Sequence, residues 1–246
     1  MNIAELHFEV KFRANKLDTQ VLRDLPPAHI DRALNAATIE FVEGFYSGRS
    51  ILAQNMGFEV TQQRTDMLST LVVKNPEQPD LAPVNFDATL NAYEVPFSNL
   101  VFPYVHILRV YVFTDCDGVS LTNVQLVQHD DLNVVLIDPL RKPSLKWRRC
   151  IGAIGKTNNN IGESSLYVYT DGQYAVTSVR IEYIKKPVVV YYGGYNSLDG
   201  LYVVGDPQVN SDLPEHYHSL LVDMTVQNLY RTLLVEQGVQ INTKPV

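Results

Sequence analysis

The residues whose order could support chemistry lie in a few short stretches. Gly152-Ala153-Ile154-Gly155-Lys156-Thr157 sets glycines beside a lysine and a threonine, the ingredients of a phosphate-binding loop. That loop needs a further glycine five residues ahead of Gly155, a strand before it and a helix after it. Cys150 holds the glycine position, Lys146-Trp147-Arg148-Arg149 precedes it and no helical pattern follows, so the stretch reads as a glycine-punctuated turn. Asp115-Cys116-Asp117-Gly118 opens like a calcium loop, but the twelfth position, which must supply a bidentate glutamate, is Leu126. His216 and His218 are two residues apart on a predicted helix and diverge, which makes a shared metal ion awkward. His7, His29, His106 and His129 show no ligand spacing, and no serine sits in a Gly-x-Ser-x-Gly elbow. Asp130-Asp131 and Asp138 read as turns around a short strand rather than as paired carboxylates. Two aromatic stretches remain, Tyr191-Tyr192-Gly193-Gly194-Tyr195 and Trp147 among Lys146, Arg148 and Arg149. Each fits either a platform for stacking a sugar or a segment that orders against another subunit. The expectation is a protein without catalytic residues, cofactor or bound metal.

Composition narrows the class. A chain of 246 residues is one large or two small domains. A formal charge of −7 argues against a general nucleic-acid binder, which needs a basic face to displace counterions. Two cysteines, Cys116 and Cys150, fit reduced thiols better than a disulfide framework. The N-terminal residues lack a basic start and an apolar signal core, and the most apolar run, Val101 to Phe113, carries His106 and Arg109. These features predict a chain made in a cytoplasm, with no membrane partner. Fourteen tyrosines suit interfaces and half-buried sheets.

The elements that would position these residues fall into blocks. Residues 1–75 read as a helical part. Leu6, Val10 and Leu17 line one face of a first helix, with Phe8 and Phe12 on an adjoining one. Ile30, Ala33, Leu34, Ala37, Phe41 and Phe45 mark a second helix opening at Asp24-Leu25-Pro26-Pro27, and Thr61 to Val72 offers a short third. Residues 76–92, with Pro76, Pro79 and Pro83, read as a linker. Residues 93–190 read as antiparallel strands: Tyr93 to Phe97, His106 to Phe113, Val119 to Gln128, Asn133 to Ile137, Leu166 to Thr170 and Gln173 to Ile184. Asp171-Gly172 marks a two-residue hairpin. Residues 191–211 are a loop, 212–235 a helix and 236–246 an extension without period. Asp212 would cap that last helix, with Glu215 as its capping-box partner and Pro214 in the first turn. Its apolar residues cover most of the circumference, leaving a polar stripe of Ser219, Asp223, Gln227 and Arg231. Such a helix either crosses the middle of its own domain or packs on a neighbouring copy. The fold class expected is α+β: N-terminal helices and a long C-terminal helix packed together, with an inserted antiparallel β-sandwich or barrel-like region.

Four segments carry a resemblance to a known family. They are Met1 to His7 with Leu17-Asp18; Leu25 to Ala37 with Phe41-Val42; Asp138-Pro139-Leu140-Arg141-Lys142-Pro143-Ser144; and Tyr183 to Val188, Asp212 to His218 and Val222-Asp223-Met224. In their order and spacing the chain resembles the head-to-tail adaptor, or connector ring, proteins of short-tailed bacteriophages, most of all those of crAss-like phages. The resemblance implies a structural virion protein that forms a ring, usually of twelve copies, under the portal at one capsid vertex. Its partners would be its own copies, the portal protein, the next tail or connector ring, and DNA that slides through the lumen without specific binding. On this chain Leu220, Leu221, Met224, Leu229 and Leu233 become candidates for the subunit interface. Val239, Gln240, Ile241, Asn242 and Thr243 become candidates for a tail that reaches the portal. A different reading, from the tyrosine loop and the hairpins, is a carbohydrate-binding or host-adhesion β module of a phage tail. A third, a hydrolase with an unfamiliar site, has no nucleophile–base pair to rest on.

Overall fold

The computed structural model describes residues 1–17, 25–47, 68–115, 120–156, 164–194 and 207–236. The fold is α+β, and the chain divides into two compact units. One is built from Met1–Leu71 and Pro187–Val246, the other from Val72–Lys186, so in sequence the second is an insertion in the first.

The first unit is helical. In α1 (Ile3–Leu17) the residues Ile3, Leu6, His7, Val10 and Ala14 are buried, a stripe at helical spacing. Its start is a reciprocal cap: the Asn2 side chain accepts from the Glu5 amide at 2.8 Å, and the Glu5 carboxylate accepts from the Asn2 amide at 3.0 Å. In α2 (Pro27–Ser47) Ile30, Leu34, Ala37, Phe41 and Phe45 are buried, and Pro27 takes the first helical position, where its missing N–H leaves no bond unmade. Asp24 lies outside the described residues, as does most of the helical stretch expected over Thr61 to Val72; its described end is a 3-10 turn at Ser69–Leu71, and Val72 already belongs to a strand. The final helix, here α4 (His218–Glu236), packs on α2 and α1. It starts later than Asp212. A 3-10 turn at Glu215–Tyr217 precedes it, with Pro214 at the N-cap and no side-chain cap bond. Glu215, expected to complete a capping box, instead accepts from the Met1 amine at 3.2 Å. The polar stripe on α4 is used inside the unit. Arg13 of α1 donates to Asp223 at 2.6 Å and to Ser219, and Arg231 lies 3.9 Å from Glu40 of α2.

The second unit is one sheet. Among the described residues eight strands form it in the order β1-β8-β4-β5-β6-β7-β3-β2. They are β1 (Val72–Val73), β2 (Asn85–Asp87), β3 (Ala92–Pro96), β4 (Tyr104–Thr114), β5 (Ser120–Leu126), β6 (Arg149–Lys156), β7 (Ser164–Tyr169) and β8 (Val176–Lys185). The sheet curls. Leu81 exchanges backbone bonds with Val179 on β8, and Val84 donates to Glu94 on β3, so residues 81–87 join the two flanks as in a barrel. One core follows, holding Val95, Val112, Cys150, Val168, Ile181 and Tyr183 from strands around the curl. Arg180 clips the closing segment with a two-pronged bond to Asp80, 2.7 and 2.9 Å, and holds that carboxyl below its usual range.

Several expected features of this unit are different in the structure. Asn133 to Ile137 is not a strand but the end of a helix, α3 (His129–Ile137). Its Leu132 and Val135, three apart, bury against Ile151 and Ala153 on the outer face of β6. With a helical crossover available, β5 and β6 pair in parallel, so the sheet is mixed rather than antiparallel. β6 itself replaces the glycine-punctuated turn. Asp171-Gly172 joins no hairpin: β7 pairs with β6 and β3, whereas β8 pairs with β4 and β1. Of the two turn residues only Gly172 has positive φ, 75°, which excludes the expected type I′ turn. The linker expected at residues 76–92 contains β2 and the Leu81 bridge.

Candidate interaction surface

The residues that suggested chemistry serve packing where they are described. Gly152 and Gly155 sit within β6. A Cβ at Gly152 would stand 2.7 Å from a Val124 methyl, and one at Gly155 would stand 2.9 Å from the Tyr167 ring. These glycines make room for neighbouring side chains rather than for a phosphate. Asp115 accepts from the Ala175 amide at 2.9 Å, and the rest of the calcium-like stretch lies outside the described residues. Asp138 accepts from the Leu140 amide at 2.9 Å and shapes a turn, while Asp130 and Asp131 occupy the first turn of α3. His216 is exposed, its ring tilted against Tyr217, whereas His218 is buried with Nε2 3.1 Å from the Leu213 carbonyl, and burial lowers its pKa. The Cys150 thiol lies 2.9 Å from the Tyr174 hydroxyl in the core. Burial pushes the thiol up to about 11 and the phenol upward as well, the opposite of a reactive thiolate. Among the described residues no three His, Cys, Asp or Glu side chains group as metal ligands, and no helix is long and apolar enough to cross a membrane.

The tyrosine loop is tied down by a polar cluster inside the helical unit. His7 Nε2 and Asp31 Oδ1 are 2.6 Å apart, both buried, and Asp31 Oδ2 accepts from the Tyr192 amide at 2.8 Å. The Tyr192 ring stacks on His7, with centroids 4.5 Å apart and planes 24° from parallel. Just before it, the Asn35 side chain donates to the Val190 carbonyl and accepts from the Val190 amide, at 3.0 and 2.7 Å. Gly193 and Gly194 follow with φ of 87° and 80°, a turn that a side chain would strain. One face of Tyr192 is thus already covered by its own chain. Tyr195 lies outside the described residues. Sequence spacing gives no sign of the His7–Asp31 pair, because helix packing alone brings the two together.

The candidate interface residues on α4 separate by burial. Leu221 and Leu229 are buried in the helical unit, so no second subunit is needed to cover them. Leu220 and Met224 are half-buried. The side chain of Leu233 lies outside the described residues, as do Val239, Gln240, Ile241, Asn242 and Thr243.

Among the described residues, the three most exposed large apolar side chains, Ile137, Leu140 and Trp147, belong to the β unit. Val134 and Ile137 point away from the core side of α3, 66% and 81% exposed, and Leu140 just beyond is 85% exposed. Next comes a tight hairpin. Ser144 and Arg149 exchange backbone bonds at 2.9 and 3.0 Å, and Arg148, at φ 47°, turns the chain between them. Its tip holds Trp147, 72% exposed, with the Lys146 ammonium 5.4 Å from the ring centroid. The hairpin is braced from two sides: the Arg149 guanidinium donates to the Leu140 carbonyl at 2.5 Å, and the Leu145 amide donates to Asp171 at 3.1 Å. Residues 138–149 carry five basic side chains against Asp138, a local net of +4. The whole chain is −7, so everything outside this segment sums to −11. Trp147 among basic residues is legible in the sequence, but the apolar outer face of α3 is not, because that stretch reads as a strand. No protein-family model matches the sequence, and no curated protein matches it either.

Proposed function

We propose that the chain is a structural protein of a bacteriophage virion, one subunit of a ring in the head-to-tail connector of a short-tailed phage. In this role it docks on the portal, extends the DNA channel and offers a surface to the next tail component. It is made in the host cytoplasm and resides at the portal vertex. The observation that carries the reading is where the four family-like segments fall in the fold. Leu6 and His7 from the first, Leu34 and Ala37 from the second, and Leu213, His218 and Val222 from the fourth are all buried in the helical unit. Likeness in a shared core supports a shared fold. The third segment is different. Its Leu140, Arg141 and Lys142 are exposed, with no packing duty to explain them, as suits a surface that meets other proteins. An acidic remainder favours a wall past which DNA slides.

Quantitative mass spectrometry of purified particles tests the reading. The expected result is this chain present in a fixed small-integer ratio to the portal subunit. Particles that lack it, or hold it at a ratio matching no ring, overturn the proposal.

A further inference from the structure

We infer that His218 is an acid-sensitive clasp: its protonation releases the segment 210–218 from α1 and α2 while the rest of the fold stays closed. The inference concerns the helical unit alone and does not depend on the connector reading.

The segment 210–218 ties three helices together. The Asn210 side chain accepts from the Ile3 amide at 2.8 Å, in the first turn of α1. Glu215 accepts from the Met1 amine at 3.2 Å. The Tyr217 ring lies against Phe41 of α2, centroids 6.1 Å apart, and Leu213 is buried. His218 folds this segment onto the start of α4, because its Nε2 donates to the Leu213 carbonyl at 3.1 Å. A carbonyl only accepts, so Nε2 carries the proton and Nδ1 of the neutral ring is a bare lone pair. The ring is 2% exposed, and Nδ1 has neither solvent nor a hydrogen-bond partner.

Three features make this a place for a neutral imidazole. A proton on Nδ1 creates a buried N–H without an acceptor, on a ring that then holds a charge out of water. His218 is also the first residue of α4, where unpaired backbone N–H groups already present positive charge. The third feature is the set of charged groups that act on the ring. They are the Met1 amine at the start of α1, and Glu215 and His216 of the 3-10 turn. The amine and a protonated His216 both oppose another cation. Glu215 alone favours one, and it is exposed and bound to the Met1 amine. The Asp212 carboxylate, half-buried in the same segment, makes no hydrogen bond to Nδ1. His7, also buried, differs: Asp31 stands 2.6 Å from its ring, so a proton there meets a carboxylate.

Opening the clasp gives the His218 ring water on all sides. The opened ring takes up its proton at about pH 6.5, and the closed ring only below that. Acid therefore favours the open form. Its population grows about tenfold for each pH unit below 6.5, until the closed ring titrates as well.

Hydrogen exchange of the full chain at about pH 7.5 and about pH 5.5, corrected for intrinsic exchange rates, reads the opening residue by residue. The expected result is that the Ile3, Leu213 and Tyr217 amides lose about tenfold in protection. Val112 and Ile181, in the sheet, should keep theirs. His218→Gln can still donate to Leu213 and does not titrate in this range, so its protection should not depend on pH. His216→Gln should leave the loss in place. In the unaltered chain the His218 ring, followed by NMR, should titrate together with the opening. Protection that holds at the lower pH overturns the clasp, as does the same loss in His218→Gln. A loss spread evenly over both units overturns its local character. The ring titration needs no variant: amides that open while the His218 signal stays fixed overturn the assignment to His218.

Discussion

Asp31 ties the first helix and the tyrosine loop to the second helix of the helical unit. Its two oxygens serve His7 and the Tyr192 amide, so Asp31→Ala orphans one buried and one half-buried donor at once and should cost about 3 kcal/mol, read from denaturant unfolding. Asp31→Asn, which keeps one acceptor, should cost less. The Cys150 thiol gives a pH signature. Its folded pKa of about 11 lies above its ordinary value, so the unfolded chain releases this proton first and binds fewer protons between about pH 9 and 11. Stability therefore falls as pH rises through that window, by about 2–3 kcal/mol from this thiol. Unfolding midpoints at pH 8 and pH 10.5 check it, with a shallower loss expected for Cys150→Ala. His218 acts on the acid side. Its folded pKa is lowered by burial, so the unfolded chain takes up the proton first and stability drops as pH falls below about 6.5. His218→Gln should flatten that limb. None of these partners can be read from the sequence, since Asp31 and His7, or Cys150 and Tyr174, are joined by packing across 24 residues of chain.

At the scale of elements, periodicity was informative where one face is buried and misleading where β-branched residues stand in a helix. The stripes of α1 and α2 follow from Leu6, Val10, Ile30, Leu34 and Phe41 at helical spacing. Asn133-Val134-Val135-Leu136-Ile137 has strand-forming residues, yet it is helical because Leu132 and Val135 meet the outer face of β6. The parallel β5–β6 pair is hidden in the sequence with that helix, since a parallel neighbour needs the crossover α3 provides. Asp171-Gly172 failed as a hairpin for another reason: Asp171 spends its carboxylate on Leu145 and Gln173 while the chain passes to the far flank of the sheet. The apolar girth of α4 is accounted for chiefly by α1 and α2 of the same chain. Leu221→Ala should accordingly cost about 2–5 kcal/mol of stability, whereas Met224→Ala, half-buried, should cost less and act mainly on assembly. Paired thermal unfolding and sedimentation of the two variants separate these effects. In β6, Gly152→Ala forces a methyl to within 2.7 Å of Val124 and should cost about 1–3 kcal/mol, measured by denaturant unfolding.

At the scale of the whole molecule, an acidic chain carries one basic segment, residues 138–149, and the helical unit holds most of the residues on which the proposed likeness rests. Among the described residues, most of the large exposed apolar side chains belong to the β unit. Removal of residues 236–246, the candidate portal-reaching tail, should abolish attachment to the portal and leave the unfolding of the rest unchanged. The central claim, membership of a connector ring, is tested most directly by sedimenting the purified chain with the portal ring of its own phage, bare and carrying its first adaptor ring, and reading stoichiometry at saturation. One copy per portal subunit in either sample is the predicted result. No co-sedimentation with either, at any ratio, would contradict it.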